Sequence, residues 1–193
     1  MRAALLYGVA AAGIVLAAAS GLLHVRQRLI AERHAIDSEW IEVDRALTHR
    51  AELIPGFEQS LGALPAPASA VFRDLDQARA GLLHGRSPAE KFAANDRLSN
   101  ALSRLLVLTE GQTALRSSGK LARLEEDLEG AENRIAVERR KYNEILEHYN
   151  SSIQMFPENL VAAISGFARN DNYFHTSQDL DTGAAARPRP KGD

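Results

Sequence analysis

The chain contains no cysteine. Disulfides, thiolate metal sites and cysteine nucleophiles are thereby excluded, while the compartment stays open, because exported proteins also exist without disulfides. Aromatic residues are 6% of the chain, β-branched residues are sparse beside alanine, leucine, arginine and glutamate, and no stretch alternates apolar and polar residues as a strand does. Neither sign of charge dominates: 23 Lys+Arg against 25 Asp+Glu leave a formal charge of -2. Such a balance exerts no overall pull toward nucleic acid, and the basic residues lack interleaved aromatics, so no nucleic-acid partner is expected. There is no Gly-x-Gly-x-x-Gly, no phosphate-binding loop and no Gly-x-Ser-x-Gly. The histidines form neither His-Glu-x-x-His nor the Glu-x-x-His of di-iron bundles, and His49 with Glu52 is the nearest approach to a metal pair. No catalytic residue, cofactor or metal site is expected.

What is present is helical periodicity. Glu132 to Pro157 interleaves charges with apolar residues, and Tyr142, Tyr149 and Phe156 recur every seven positions. Steps of three and four extend the stripe through Leu121, Leu124, Leu128, Ala131, Ile135, Glu138, Ile145 and Ser152, which predicts a helix packed along one seam. Asn143 and Asn150 follow the two tyrosines and stand beside the seam, where their amides can bond a partner helix or each other. A second seam runs through Leu29, Arg33, Ile36, Trp40, Val43, Leu47, Arg50, Ile54, Phe57, Leu61 and Leu64. Two residues interrupt it. Arg50 puts a guanidinium on the apolar stripe, and Pro55 removes a backbone donor and crowds the carbonyl of Ala51.

The chain falls into three parts. Ala3 to Leu23, about 21 residues without a charge, would span roughly 32 Å as a helix, enough to cross a bilayer. The run exceeds the usual ~7–15 residue core of a signal peptide, which favours an anchor over residues 1–25 against cleavage at Ala17-Ala18-Ala19. Arg26, Arg28 and Arg33 follow it, and the positive-inside rule places the bundle of residues 26–175 in the cytoplasm, behind the inner membrane. Within that bundle, Pro65 and Pro67 stop the first helix, and a second runs from Ala68 to His84 with Val71, Leu75, Ala78 and Leu82 inward. Ser87-Pro88-Ala89-Glu90 is a capping box that opens a third helix, which continues to Thr109 and buries Phe92, Leu98, Leu102, Leu105 and Leu106. A loop over Gly111 to Gly119 leads into the long helix, and a short amphipathic turn from Glu158 ends at Gly166. Residues 176–193 hold Leu180 as their one large apolar side chain and read as a disordered tail. The expected fold is all-α: an N-terminal transmembrane helix, then an antiparallel long-helix bundle of about four helices plus a short C-terminal one.

Glu132-Asn133-Arg134-Ile135-Ala136, Arg139, Tyr142-Asn143, Tyr149-Asn150, Ile153 and Phe156-Pro157, with Leu47, Arg50 and Leu53-Ile54-Pro55 upstream, resemble the LemA family. Gly56, Glu52, Gln112-Thr113 and the Leu61 to Ser69 stretch depart from the family's pattern. The resemblance implies a bacterial protein with one N-terminal transmembrane helix and an antiparallel bundle, without an established enzyme activity. It marks Arg50, Pro55, Asn133, Arg139, Tyr142, Asn143, Tyr149, Asn150, Phe156 and Pro157 as interaction or motif residues. The expected function is a non-enzymatic scaffold held in the membrane through residues 3–23, with a protein partner or a second copy of itself. A regulator of a membrane protease and a metal-dependent hydrolase built on His49, Arg50 and Glu52 are the alternatives.

Overall fold

A computed structural model describes residues 2–61, 68–109 and 119–175. Among them five helices and no strand occur: α1 (Arg2–Leu61), α2 (Ala68–His84), α3 (Pro88–Thr109), α4 (Gly119–Ser152) and α5 (Glu158–Ser165). The chain is all-α, and α1 runs unbroken for 60 residues from the apolar N-terminal segment into the seam. Pro65 to Pro67, the loop at 110–118 and the tail from 176 lie outside the described residues.

Two compact units divide the chain, and each has its own packing. The larger holds Trp40–Tyr142 with Asn172 onward. There the stripe of α1 is buried at Val43, Leu47 and Ile54, that of α2 at Val71, Leu75, Ala78 and Leu82, and that of α3 at Phe92, Leu98, Leu102 and Leu105. α4 contributes Ala131, Ile135 and Tyr142. Directions follow from the cross-helix contacts. Trp40 meets Tyr142, Arg50 meets Glu132 and Gly56 lies against Leu124, so α4 runs antiparallel to this part of α1. Asp44 pairs with Lys91 and Arg50 with Asn95, so α3 runs parallel to it. α2 returns against α3, and the two approach so closely at Gly81 that a Cβ there would sit 2.8 Å from that of Ala94.

The turn between α2 and α3 follows its sequence signature. Ser87 Oγ accepts the Glu90 amide at 3.2 Å, while the Glu90 carboxylate accepts the amide of Arg86 at 2.7 Å, one residue earlier than a regular capping box provides. Leu106 departs from expectation: it lies at the exposed side of α3.

Pro55 sits inside α1 and leaves the carbonyl of Ala51 without its helical donor. Arg79 of α2 supplies the replacement, its Nε donating to Ala51 O at 3.1 Å. The proline thus creates an acceptor that a neighbouring helix uses.

The smaller unit holds Met1–Glu39 and Asn143–Asp171. Leu29 packs with Val161 and Ala162 of α5, flanked by Val25, Ile153 and Phe167. The helix expected to reach Pro157 ends five residues earlier. After Ser152 the bonds tighten to Gln154 N→Ser151 O and Met155 N→Ser152 O, and Pro157, with no amide to give, becomes the residue preceding α5. Phe156 is therefore off the stripe and in a turn, while Leu146, outside the seven-residue pattern, is fully buried. Gly166 closes α5 in the left-handed region at φ 73, where Phe167 N reaches Ala162 O.

We expect Arg79→Met to destabilise the fold by about 1–3 kcal/mol, the cost of an unsatisfied buried carbonyl, and to cost clearly less in a Pro55→Ala background, where residue 55 again donates to Ala51. A double-mutant cycle by denaturant unfolding measures the coupling.

Candidate functional site

The motif residues fall into three settings. Tyr142 belongs to a ring cluster centred on Phe92 of α3: Trp40 lies edge-on to Phe92 at 5.5 Å, Tyr142 at 6.2 Å, and Phe174 stacks on it at 3.9 Å. The edge-to-face contacts of Trp40 and Tyr142 on Phe92 suit the ring quadrupoles. Asn133 is exposed and Arg139 half-buried on the same helix.

Tyr149 and Asn150 bind the segment that follows α5. Tyr149 donates through its hydroxyl to Ala168 O at 2.9 Å. The Asn150 amide donates to Asn170 O at 2.7 Å and accepts from Asn170 N at 2.9 Å, pairing both edges of one backbone unit. The amides were expected to bond a helix or each other; Asn150 instead holds an irregular strap, which has backbone groups to spare where a helix does not. Asn143 is half-buried. Burial pushes the Tyr149 hydroxyl above its ordinary 10.0, with Glu32 adding to the rise and Arg33 opposing it.

Arg50 is 3% exposed at the floor of a groove of about 210 Å³ between α3 and α4, walled by Leu102, Leu106 and Leu128 and rimmed by Glu125, Glu129 and Glu132. Its Nη1 donates to buried Asn95 Oδ1 at 2.6 Å, its Nη2 makes a longer 3.5 Å contact with Glu132, and its Nε is buried without an acceptor. Burial lowers its affinity for the proton, which Glu132 and Asp96 partly restore. The guanidinium is thus a core residue with two partners from other helices, and the groove is lined by carboxylates, leucines and the hydroxyls of Ser99 and Ser103. His49 and Glu52 are exposed and do not converge with Arg50. Among the described residues no group of three or more His, Asp or Glu side chains could hold a metal ion.

The LemA family profile matches residues 39–186. The chain belongs to the LemA family. It is also similar to the magnetosome protein MamQ of Magnetospirillum gryphiswaldense, at 32% identity over 116 residues, which is 59% of this chain and 42% of that protein. Magnetosome proteins MamQ 1 and MamQ 2 of Paramagnetospirillum magneticum match at 34% identity over 89 residues, 46% of this chain and 32% of each relative. The chain spans less than half the length of these curated relatives. Within the LemA match, Gly56 lies where α1 passes Leu124, whose Cδ2 would be 3.5 Å from a Cβ there. The match contains every motif residue, and four of the ten in this LemA-family chain, Arg50, Tyr142, Tyr149 and Asn150, are buried packing and pairing groups. Phe156 stands apart, 81% exposed in the turn before α5. Sequence periodicity put it in the core, and its place immediately before Pro157 was the signal for a turn. Arg79 and the strap at 168–170 were also missed, because what they bind is backbone.

Tyr149 should make the fold sensitive to alkali. A folded-state value above the unfolded one means that stability is fully present below about pH 10 and is lost as pH rises through that value toward the higher folded one. Tyr149→Phe should cost about 0.5–1.5 kcal/mol at pH 7 through the lost bond to Ala168 and flatten the decline above pH 10. Denaturant midpoints at both pH values in detergent micelles measure this.

Proposed function

We propose that this chain is a non-enzymatic, membrane-anchored helical bundle that serves as an interaction scaffold at the bacterial inner membrane. One observation carries the reading: a single helix changes its environment along its length. In its N-terminal part α1 is long and apolar enough to cross a membrane, with Ile14 and Leu16 about 70% exposed, whereas Leu29, Val43, Leu47 and Ile54 are fully buried. An apolar helix end uncovered by protein is satisfied by hydrocarbon. The remainder is a packed bundle whose motif residues hold the fold together, and neither the family name nor those of the matched relatives denote an enzyme. On this reading residues 1–25 are the anchor and 26–175 the bundle, and Arg26, Arg28 and Arg33 favour a cytoplasmic bundle.

The scaffold reading needs a partner surface. Ile41 and Val137 are exposed apolar residues of the larger unit and offer positions for a photo-cross-linker. In intact cells a cross-linker at either position should give a discrete adduct with a second copy or another protein. Membranes washed in alkaline carbonate should retain the full chain and release one lacking residues 3–23. Absence of any adduct at both positions argues against a scaffold, and equal release of both chains argues against the anchor.

A further inference from the structure

We propose that the turn between α4 and α5 is a second membrane contact, in which Met155 and Phe156 enter the boundary between lipid headgroups and acyl chains beside the anchor. The proposal rests on the reading of residues 3–23 as a membrane span.

The level of the turn follows from the contacts of its flanks with α1. At the end of α4, Ser152 Oγ lies 3.3 Å from Glu32 Oε1. At the start of α5, Glu158 Oε1 accepts from Arg28 Nη1 at 3.2 Å. Past the end of α5, the guanidinium of Arg33 sits 5.9 Å from the centre of the Phe167 ring. The chain therefore descends along α1 from the level of residue 32, reverses, and climbs back to the level of residue 33. Its lowest point is the turn at 153–157, where Ile153 packs against the cluster of Leu29, Val161 and Ala162. Arg28 and Leu29, which meet the flanks of the turn, are five and six residues past Leu23, roughly 8–9 Å along the helix at 1.5 Å per residue. The turn accordingly lies in the headgroup layer that borders the hydrocarbon.

Its chemistry fits that position. Met155 is 62% and Phe156 81% exposed, the turn Ile153 to Pro157 carries no charge, and Leu160 continues the exposed apolar surface one helical turn on. The nearest carboxylate, Glu158, is buried and paired with Arg28, so no bare negative charge opposes the lipid phosphates. Arg26, exposed on α1 between Val25 and the paired Arg28, stands where it can meet those phosphates. A short apolar prominence with basic neighbours is what lies in a membrane interface. The consequence is mechanical: a helix anchored at one point rotates and tilts freely, whereas a second contact on one side fixes which face of the smaller unit looks along the membrane.

Because the chain has no cysteine, single labels are unambiguous. Nitroxides placed through Phe156→Cys, Met155→Cys, Leu16→Cys and Asp37→Cys in the full chain, reconstituted in phosphatidylcholine–phosphatidylglycerol vesicles, report accessibility to oxygen, which concentrates in lipid, and to a water-soluble nickel chelate. Position 16 should be oxygen-accessible and position 37 nickel-accessible. The proposal expects 155 and 156 to lose nickel accessibility and gain oxygen accessibility, resembling 16. Nickel accessibility at both equal to that at 37, with 16 in lipid, overturns the proposal and spares the anchor. Shielding of both from nickel and oxygen alike means that protein covers the turn, a second copy included, and also overturns it. Nickel accessibility at 16 as well removes the anchor and the proposal together.

Discussion

The structure depends on covering the apolar stripe of α1. A helix cannot bury its own side chains, so a row such as Leu29, Ile36, Val43, Leu47 and Ile54 costs free energy until other helices lie on it, at about 25 cal/mol for each Å² left in water. In the larger unit α2, α3 and α4 lie on it, with α4 antiparallel. In the smaller unit the end of α4 and α5 do so. Toward the N-terminus the described apolar side chains, Ile14, Val15 and Leu16 among them, are exposed, and on the proposed reading a bilayer accepts them.

Several polar groups inside this packing are paired across elements. Arg50 joins α1 to Asn95 of α3 and to Glu132 of α4, Arg79 joins α2 to the carbonyl that Pro55 leaves open, and Asn150 clamps the strap after α5. Each such pair specifies one register, since sliding a helix by a turn leaves a buried donor or acceptor alone. Arg50, Pro55 and Asn150, three residues of the LemA motif, belong to this set of register-fixing groups.

Legibility followed the physics of each signal. The bounds of α2 and α3 stood in the sequence because prolines, Gly85 and the Ser87 cap act locally, and the buried rows of α1 and α4 stood there because burial imposes a helical period. Arg50 was readable as a guanidinium on an apolar stripe, though not its choice of Asn95, which comes from another helix. The end of α4 was misplaced because Phe156 falls on the seven-residue beat by coincidence of spacing; the tight turns after Ser152 carry no periodic signature. The strap was invisible for a related reason. Asn170 offers Asn150 its backbone, which every residue possesses, and Phe174 reaches Phe92 from a segment without regular structure.

Amide hydrogen exchange of the full chain in lipid vesicles, resolved by peptide, tests the buried stripe most directly. Val43 to Ile54 of α1 and Ile135 to Tyr142 of α4 should be strongly protected and should open together in mild denaturant, as one cooperative packing requires. Rapid exchange across Val43 to Ile54, or opening of that segment while α4 stays closed, would contradict the account.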